Sequence, residues 1–234
     1  MLLNTTSENG TVFDLLGPQN CDVVVLIHGL GLNRQIWEKF VPQLSAHFRI
    51  LNYDLLGHGE SGPPLEKPIL ATFSEQLIGL LDELDISKVA LVGFSLGGMI
   101  NRRMAIDHSD RVNSLAILNS PHQRTSEAQK LVEERALDTA QGGPAVTLHA
   151  TINRWFTAEF RQSNPNYIER VRNWVLENDP ILYAQCRQVL ATGVIELINP
   201  NPPIIHPTLV ITCENDSGST PAMTHSIAGE IKSS

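Results

Sequence analysis

The 234-residue chain has no long apolar run; its longest uninterrupted aliphatic stretch is Val23 to Ile27. A membrane-crossing helix needs about 20 such residues, so no membrane partner is expected. The opening residues, Met1-Leu2-Leu3-Asn4-Thr5-Thr6, carry neither a basic segment nor an apolar core and do not read as a secretory leader. Cysteine is scarce. Cys21, Cys186 and Cys213 stand far apart, with no Cys-x-x-Cys pair and no metal-ligand spacing. An odd count of scattered thiols without a leader fits reduced cysteines in a cytoplasmic protein. Repeats, low-complexity tracts and runs of like charge are also missing. The net charge of −8 is scattered, which argues against general affinity for nucleic acid or anionic membrane. What remains is an ordinary globular composition, 42% hydrophobic and 18% charged, long enough for one sizeable α/β core.

Five β-rich runs are present: Val23 to Ile27, Phe48 to Tyr53, Val89 to Val92, Val112 to Leu118 and Thr208 to Thr212. The continuously aliphatic first run suits a strand covered on both faces. Helical patterns separate the early runs. Ile36 to Leu44 is amphipathic and interrupted by Pro42, and Thr72-Phe73-Ser74-Glu75 reads as a capping box before Leu77, Leu80, Leu81 and Leu84. Alternation of this kind predicts right-handed crossovers and a mostly parallel sheet. From Pro121 to about Ile205 no strand signal appears. Helix-like pieces at Ser126 to Asp138, Tyr167 to Leu176 and Pro180 to Leu190 predict a helical insertion, and Asn199-Pro200-Asn201-Pro202-Pro203 returns the chain to the sheet.

The sharpest local signal is Gly93-Phe94-Ser95-Leu96-Gly97, placed after the run Val89 to Val92 and before the helix-like Met99 to Ile106. A strand–turn–helix this tight holds its central residue in a strained conformation, and glycines two positions away remove collisions. Ser95 then stands at a helix N-terminus, where free N–H groups favour developing negative charge. Such a serine is a candidate nucleophile.

Two further segments accompany it in order: His28-Gly29-Leu30-Gly31 after the first parallel strand, with Trp37 following, and Asp54-Leu55-Leu56-Gly57-His58-Gly59-Glu60-Ser61 after the second. Together with the elbow they resemble the α/β-hydrolase superfamily over nearly the whole chain. The resemblance implies an α/β-hydrolase fold in which a mostly parallel sheet is flanked by helices and carries a helical cap insertion. Core segments 1–120 and 206–234 would enclose a cap at 121–205. It also implies that the backbone N–H groups of Leu30 and Leu96 form the oxyanion hole. His28 would be a turn residue, with Asp54 and His58 organising their loop.

The same resemblance places the catalytic acid at Asp216, after the strand Thr208 to Thr212 and before Pro221, with Glu214 as the alternative. In this fold the order is serine, acid, histidine. Beyond Asp216 only His225 remains, inside the helix-like run Pro221 to Lys232. The expectation is therefore that the final strand, its histidine and the closing helix lie beyond the sequence given. Turnover would then be weak, and the strand carrying Leu209 and Ile211 would be left as an open edge. His225 and His122 are the possible substitute bases.

Within the insertion, Arg154-Trp155-Phe156-Thr157, with Phe160, Asn164-Pro165, Asp179-Pro180, Tyr183 and Cys186, is similar to the cap of 3-oxoadipate enol-lactonase-like hydrolases. Arg154 and Trp155 are candidate substrate-binding residues, although Trp155 and Phe156 equally suit the apolar face of a cap helix. The expected activity is hydrolysis of a small carboxylic ester or lactone through an acyl-enzyme on Ser95, with no cofactor and no metal. Hydrolysis of a C–C bond, a perhydrolase activity and a non-catalytic binding role are the alternatives.

Overall fold

A computed structural model describes residues 4–232. Seven strands form one sheet: β1 (Thr5–Thr6), β2 (Val12–Leu16), β3 (Val23–Ile27), β4 (Arg49–Tyr53), β5 (Val89–Phe94), β6 (Val112–Leu118) and β7 (Thr208–Ile211). Their spatial order is β1-β2-β4-β3-β5-β6-β7. β1 and β2 are antiparallel, as are β2 and β4; every pairing from β4 to β7 is parallel. The five strands expected from the sequence are all present, and β1 and β2 add an antiparallel edge.

The helices are α1 (Val41–Leu44), α2 (Leu70–Glu83), α3 (Leu96–Asp107), α4 (Ser126–Gly142), α5 (Pro144–Trp155), α6 (Ala158–Ser163), α7 (Pro165–Glu177), α8 (Pro180–Thr192) and α9 (Pro221–Glu230). No helix among the described residues is long and apolar enough to cross a membrane. Two local expectations are corrected. Pro42 does not interrupt a helix; a 3-10 turn at Arg34–Trp37 ends first, and Pro42 sits in the opening turn of α1, where its missing N–H costs no intrahelical bond. Thr72 does not cap α2 either. The helix begins at Leu70, and the Thr72 hydroxyl accepts from the backbone N–H of Ile69.

Alternation along β3 explains its aliphatic run. Val23, Val25 and Ile27 face the large core with Phe73, Leu77 and Met99, while Val24 and Leu26 face the opposite layer with Trp37, Val41 and Ile50. Fully burying each such side chain contributes about 1.5–3 kcal/mol, so β3 is the anchor from which the neighbouring loops project. At the other end of the sheet, β7 pairs among the described residues with β6 alone, and its alternate residues differ in fate. Val210 packs on the core, whereas Leu209 and Ile211 are 57% and 45% exposed. An exposed apolar edge of this kind is an association hazard. The helices α4 to α8 occupy the connection between β6 and β7 and bury a second set of apolar residues, among them Leu148, Ile152, Val171 and Trp174.

Candidate active site

Ser95 lies between β5 and α3 with φ +56° and ψ −110°, a region that costs a non-glycine residue about 1–3 kcal/mol. The surroundings impose it. Ser95 N–H donates to the Leu118 carbonyl at 2.8 Å, and the Ser95 carbonyl accepts from Gly98 at 3.0 Å. A Cβ on Gly93 would lie 2.2 Å from the Gly97 carbonyl oxygen, and one on Gly97 would lie 2.3 Å from that of Ile27. Only glycine permits these approaches. Leu96 opens α3, so its N–H has no intrahelical carbonyl to meet and is free beside Ser95.

The loop after β3 brings Leu30 against Ser95 along one cavity. It is held from below and from above. Below it, the fully buried His28 accepts from the Leu55 N–H at Nε2 (3.0 Å), which leaves the proton on Nδ1 to donate to the Gly29 carbonyl (2.8 Å). Burial pushes its pKa down to about 4, so His28 is a neutral strut with no nitrogen left for Ser95. His58 is likewise buried, donates to the Leu56 carbonyl and is pushed down to about 3, first by burial and then by His28. Buried Arg34 ties the two loops together. Its backbone N–H donates to Asp54 at 2.7 Å, and its guanidinium pairs with Asp14, Asp54 and Glu60. Above, Asn178 at the end of α7 donates to the Gly31 carbonyl at 3.2 Å.

These imidazoles predict the acid behaviour of the fold. Both folded pKa values lie below the ordinary 6.5, so between that pH and about 4 the unfolded chain binds more protons than the native one. The contribution is complete above pH 6.5 and is lost as pH falls, by about 1.4 kcal/mol per pH unit for each imidazole. Melting temperature is expected to fall steadily from pH 6.5 to 5. His28→Asn should lower the proton uptake on unfolding by about one; an unchanged uptake would contradict this assignment.

Asp216 sits in the loop after β7. Its Oδ1 accepts from the N–H groups of Gly218 (2.8 Å) and Ser219 (2.9 Å), and its Oδ2 accepts from Asn119 Nδ2 at 2.7 Å. Asn119 directly follows β6 at φ +48°, and its own N–H donates to the Ile211 carbonyl. It was not singled out from the sequence, where an Asn before Ser-Pro reads only as a turn. Glu214 is exposed and has no comparable support. None of the eight imidazoles, all among the described residues, hydrogen-bonds Ser95 Oγ. His122 is buried and pairs with Glu230 at 3.0 Å, while His225 lies exposed on α9, in a surface depression beside β7 and Glu214.

The cavity at Ser95 measures about 330 Å³. Its wall brings together Ser95, Leu30, Arg154 and Trp155 with the Ser217–Ser219 backbone. A Cβ on Gly218 would lie 2.4 Å from Arg154 Nη1, so the guanidinium rests on the loop that Asp216 organises. Asp216 thus shapes the wall from behind, and Leu96 is fully buried. Arg124, Arg135 and Arg187 also line the cavity, and none of the three was anticipated.

The α/β hydrolase fold model matches residues 22–166. The chain is 29% identical to the (E)-2-((N-methylformamido)methylene)succinate hydrolase of Acinetobacter baylyi over 211 residues, 89% of this chain and 78% of that protein. It is 28% identical to 3-oxoadipate enol-lactonase 1 of the same organism, covering 87% and 75%. The crystal structure of the enol-lactonase from Burkholderia xenovorans superposes with a TM-score of 0.87 at 29% identity, covering 96% of this chain and 86% of that one. With the sheet order and the Ser95 elbow, these matches show that the chain belongs to the α/β hydrolase fold family and is a hydrolase.

Proposed function

We propose that this hydrolase cleaves small carboxylic esters or lactones through an acyl-enzyme on Ser95. The observation that carries the reading is the strained Ser95 at the N-terminus of α3, opening into a cavity beside Leu30. In this reading Ser95 Oγ attacks the carbonyl carbon and the N–H groups of Leu30 and Leu96 receive the negative charge on its oxygen. The alcohol or enol then leaves, and water releases the acid. Asp216 is the acid that would orient an imidazole and stabilise its charged form. Residues 121–205 act as the cap, over a core made of 1–120 and 206–234. Two relatives whose names specify a succinate derivative and an enol-lactone are consistent with acidic substrates of this size.

Arg154, on the cavity wall, is assigned to a substrate carboxylate and Trp155 to its apolar part. Arg154→Ala is expected to raise KM for a carboxylate-bearing lactone about tenfold or more and to leave a neutral ester nearly unchanged. Equal effects on both would make Arg154 a structural residue. The reaction class is tested by offering p-nitrophenyl acetate, a carboxylate-bearing lactone and a vinylogous 1,5-diketone, with imidazole supplied as base. Turnover of the ester and the lactone but not of the diketone supports the reading. Preferential cleavage of the diketone would replace it with C–C bond hydrolysis.

A further inference from the structure

The cavity wall is unusual in its charge. Of its lining side chains, Arg124, Arg135, Arg154 and Arg187 are cationic, and no aspartate or glutamate joins them. Elsewhere Arg34, Arg103, Arg111, Arg170 and Arg172 each have a carboxylate within 4 Å, whereas Arg49, Arg102 and Arg161 have none among the described residues and stand apart from one another rather than in one concavity. Among the described residues none of the four cavity arginines forms such a pair. Arg187 is buried and gives one hydrogen bond to the Tyr183 hydroxyl at 3.3 Å. Arg124 donates only to neutral groups, namely Gln129 Oε1 and the carbonyls of Leu190 and Ala191. No protein group hydrogen-bonds the side chains of Arg135 and Arg154 among the described residues.

Four like charges gathered in one concavity repel one another and lose water, a cost that neutral acceptors do not remove. Burial first, and then the charges of Arg135 and Arg187, hold Arg154 below the usual arginine range; burial and Arg154 act on Arg124 in the same way. Against them stand Asp216, on the far side of Gly218, and the Tyr183 hydroxyl for Arg154, and for Arg124 Glu133, exposed beside Gln129. A bound anion would relieve this arrangement. Four planar guanidinium groups on separate stems from the loop before α4, from α4, α5 and α8 suit two carboxylates better than one compact anion. The cavity volume is at the small end for ligand sites and suits a short substrate.

We propose that the pocket beside Ser95 is a dicarboxylate receptor, with Arg154 taking one carboxylate of the substrate and Arg124, Arg135 and Arg187 taking a second. The substrate class is then a short ester or lactone that carries two carboxylates besides the carbonyl to be cleaved. This rests on the reading of Ser95 as the acyl acceptor, but binding tests it separately from chemistry.

The experiment is calorimetric titration of the 234-residue chain at low salt with butyrate, glutarate and inorganic phosphate. Glutarate is expected to bind at least tenfold tighter than either of the others, since each added charged hydrogen bond is worth about a factor of ten. Arg135→Gln should remove most of that advantage. Its side chain has no hydrogen bond or ion pair among the described residues, so the fold is expected to survive, as far-ultraviolet circular dichroism would show. Arg187→Gln serves as a second variant. Ser95→Ala should keep glutarate affinity unchanged, so failure of the serine assignment leaves this result standing. Equal affinity for butyrate and glutarate would overturn the proposal. So would phosphate binding as tight as glutarate, no binding of any probe, or glutarate affinity insensitive to both arginine variants.

Discussion

Hydrolysis of p-nitrophenyl acetate by this chain is expected to be slow, about a thousandfold above water, and to rise on the order of tenfold or more when imidazole is added. Both halves follow from the geometry at Ser95. The elbow and the free N–H groups at the start of α3 are in place, so charge on a carbonyl oxygen would be met. A serine hydroxyl is nevertheless a weak nucleophile until a base takes its proton, and no imidazole of the chain hydrogen-bonds Ser95 Oγ. His28 and His58 are spent on the loops, and His122 is paired with Glu230. Free imidazole, small beside a cavity of about 330 Å³, is expected to supply that base. In Ser95→Ala the added imidazole should give no more than its own solution rate. Robust turnover without imidazole would mean that His122 or His225 reaches Ser95 after a rearrangement, and substitution of each would identify which.

Gly97→Ala should be among the most damaging small changes in the molecule. The new methyl would be forced to within 2.3 Å of the Ile27 carbonyl oxygen and 2.9 Å of that of His28, both backbone atoms at the end of β3. The elbow and the loop after β3 cannot keep their approach, so Leu30, the proposed oxyanion donor, is expected to move away from Ser95. Overpacking of a rigid site costs about 1–3 kcal/mol of stability. Loss of an oxyanion donor costs about 3–4 kcal/mol in the transition state, or a hundredfold and more in rate. Denaturant titration and the imidazole-dependent rate check the two effects independently. A Gly97→Ala protein of unaltered stability and rate would show that the two loops are not in contact as described.

Much of this was legible in the sequence because it rests on local rules. The aliphatic run of β3, the glycines of the elbow and the Thr220-Pro221 start of α9 each carry their structural reason within a few residues. What stayed hidden depends on partners distant in sequence. β2 was missed because Asp14 interrupts the apolar pattern of Val12 to Leu16, and its burial makes sense only once Arg34 lies beside it. α5 was missed because Thr147, Thr151 and Ile152 are β-branched residues of weak helix propensity, stabilised by burial. The arginine cluster was invisible for a simpler reason. Its members come from three helices and a loop, and no spacing along the chain announces that they converge. Asn119, which holds Asp216, is likewise an ordinary turn residue until β7 is placed beside β6.

The central claim is that Ser95 becomes acylated, and trapping that species tests it most directly. The chain is mixed with p-nitrophenyl acetate in the presence of imidazole, quenched in acid, digested and analysed by mass spectrometry. The account predicts an acetyl group on the peptide containing Ser95, at Ser95 itself, and its disappearance in Ser95→Ala. Acetylation confined to another residue, or p-nitrophenol released at the same rate by Ser95→Ala with no acyl-protein in either, would contradict it.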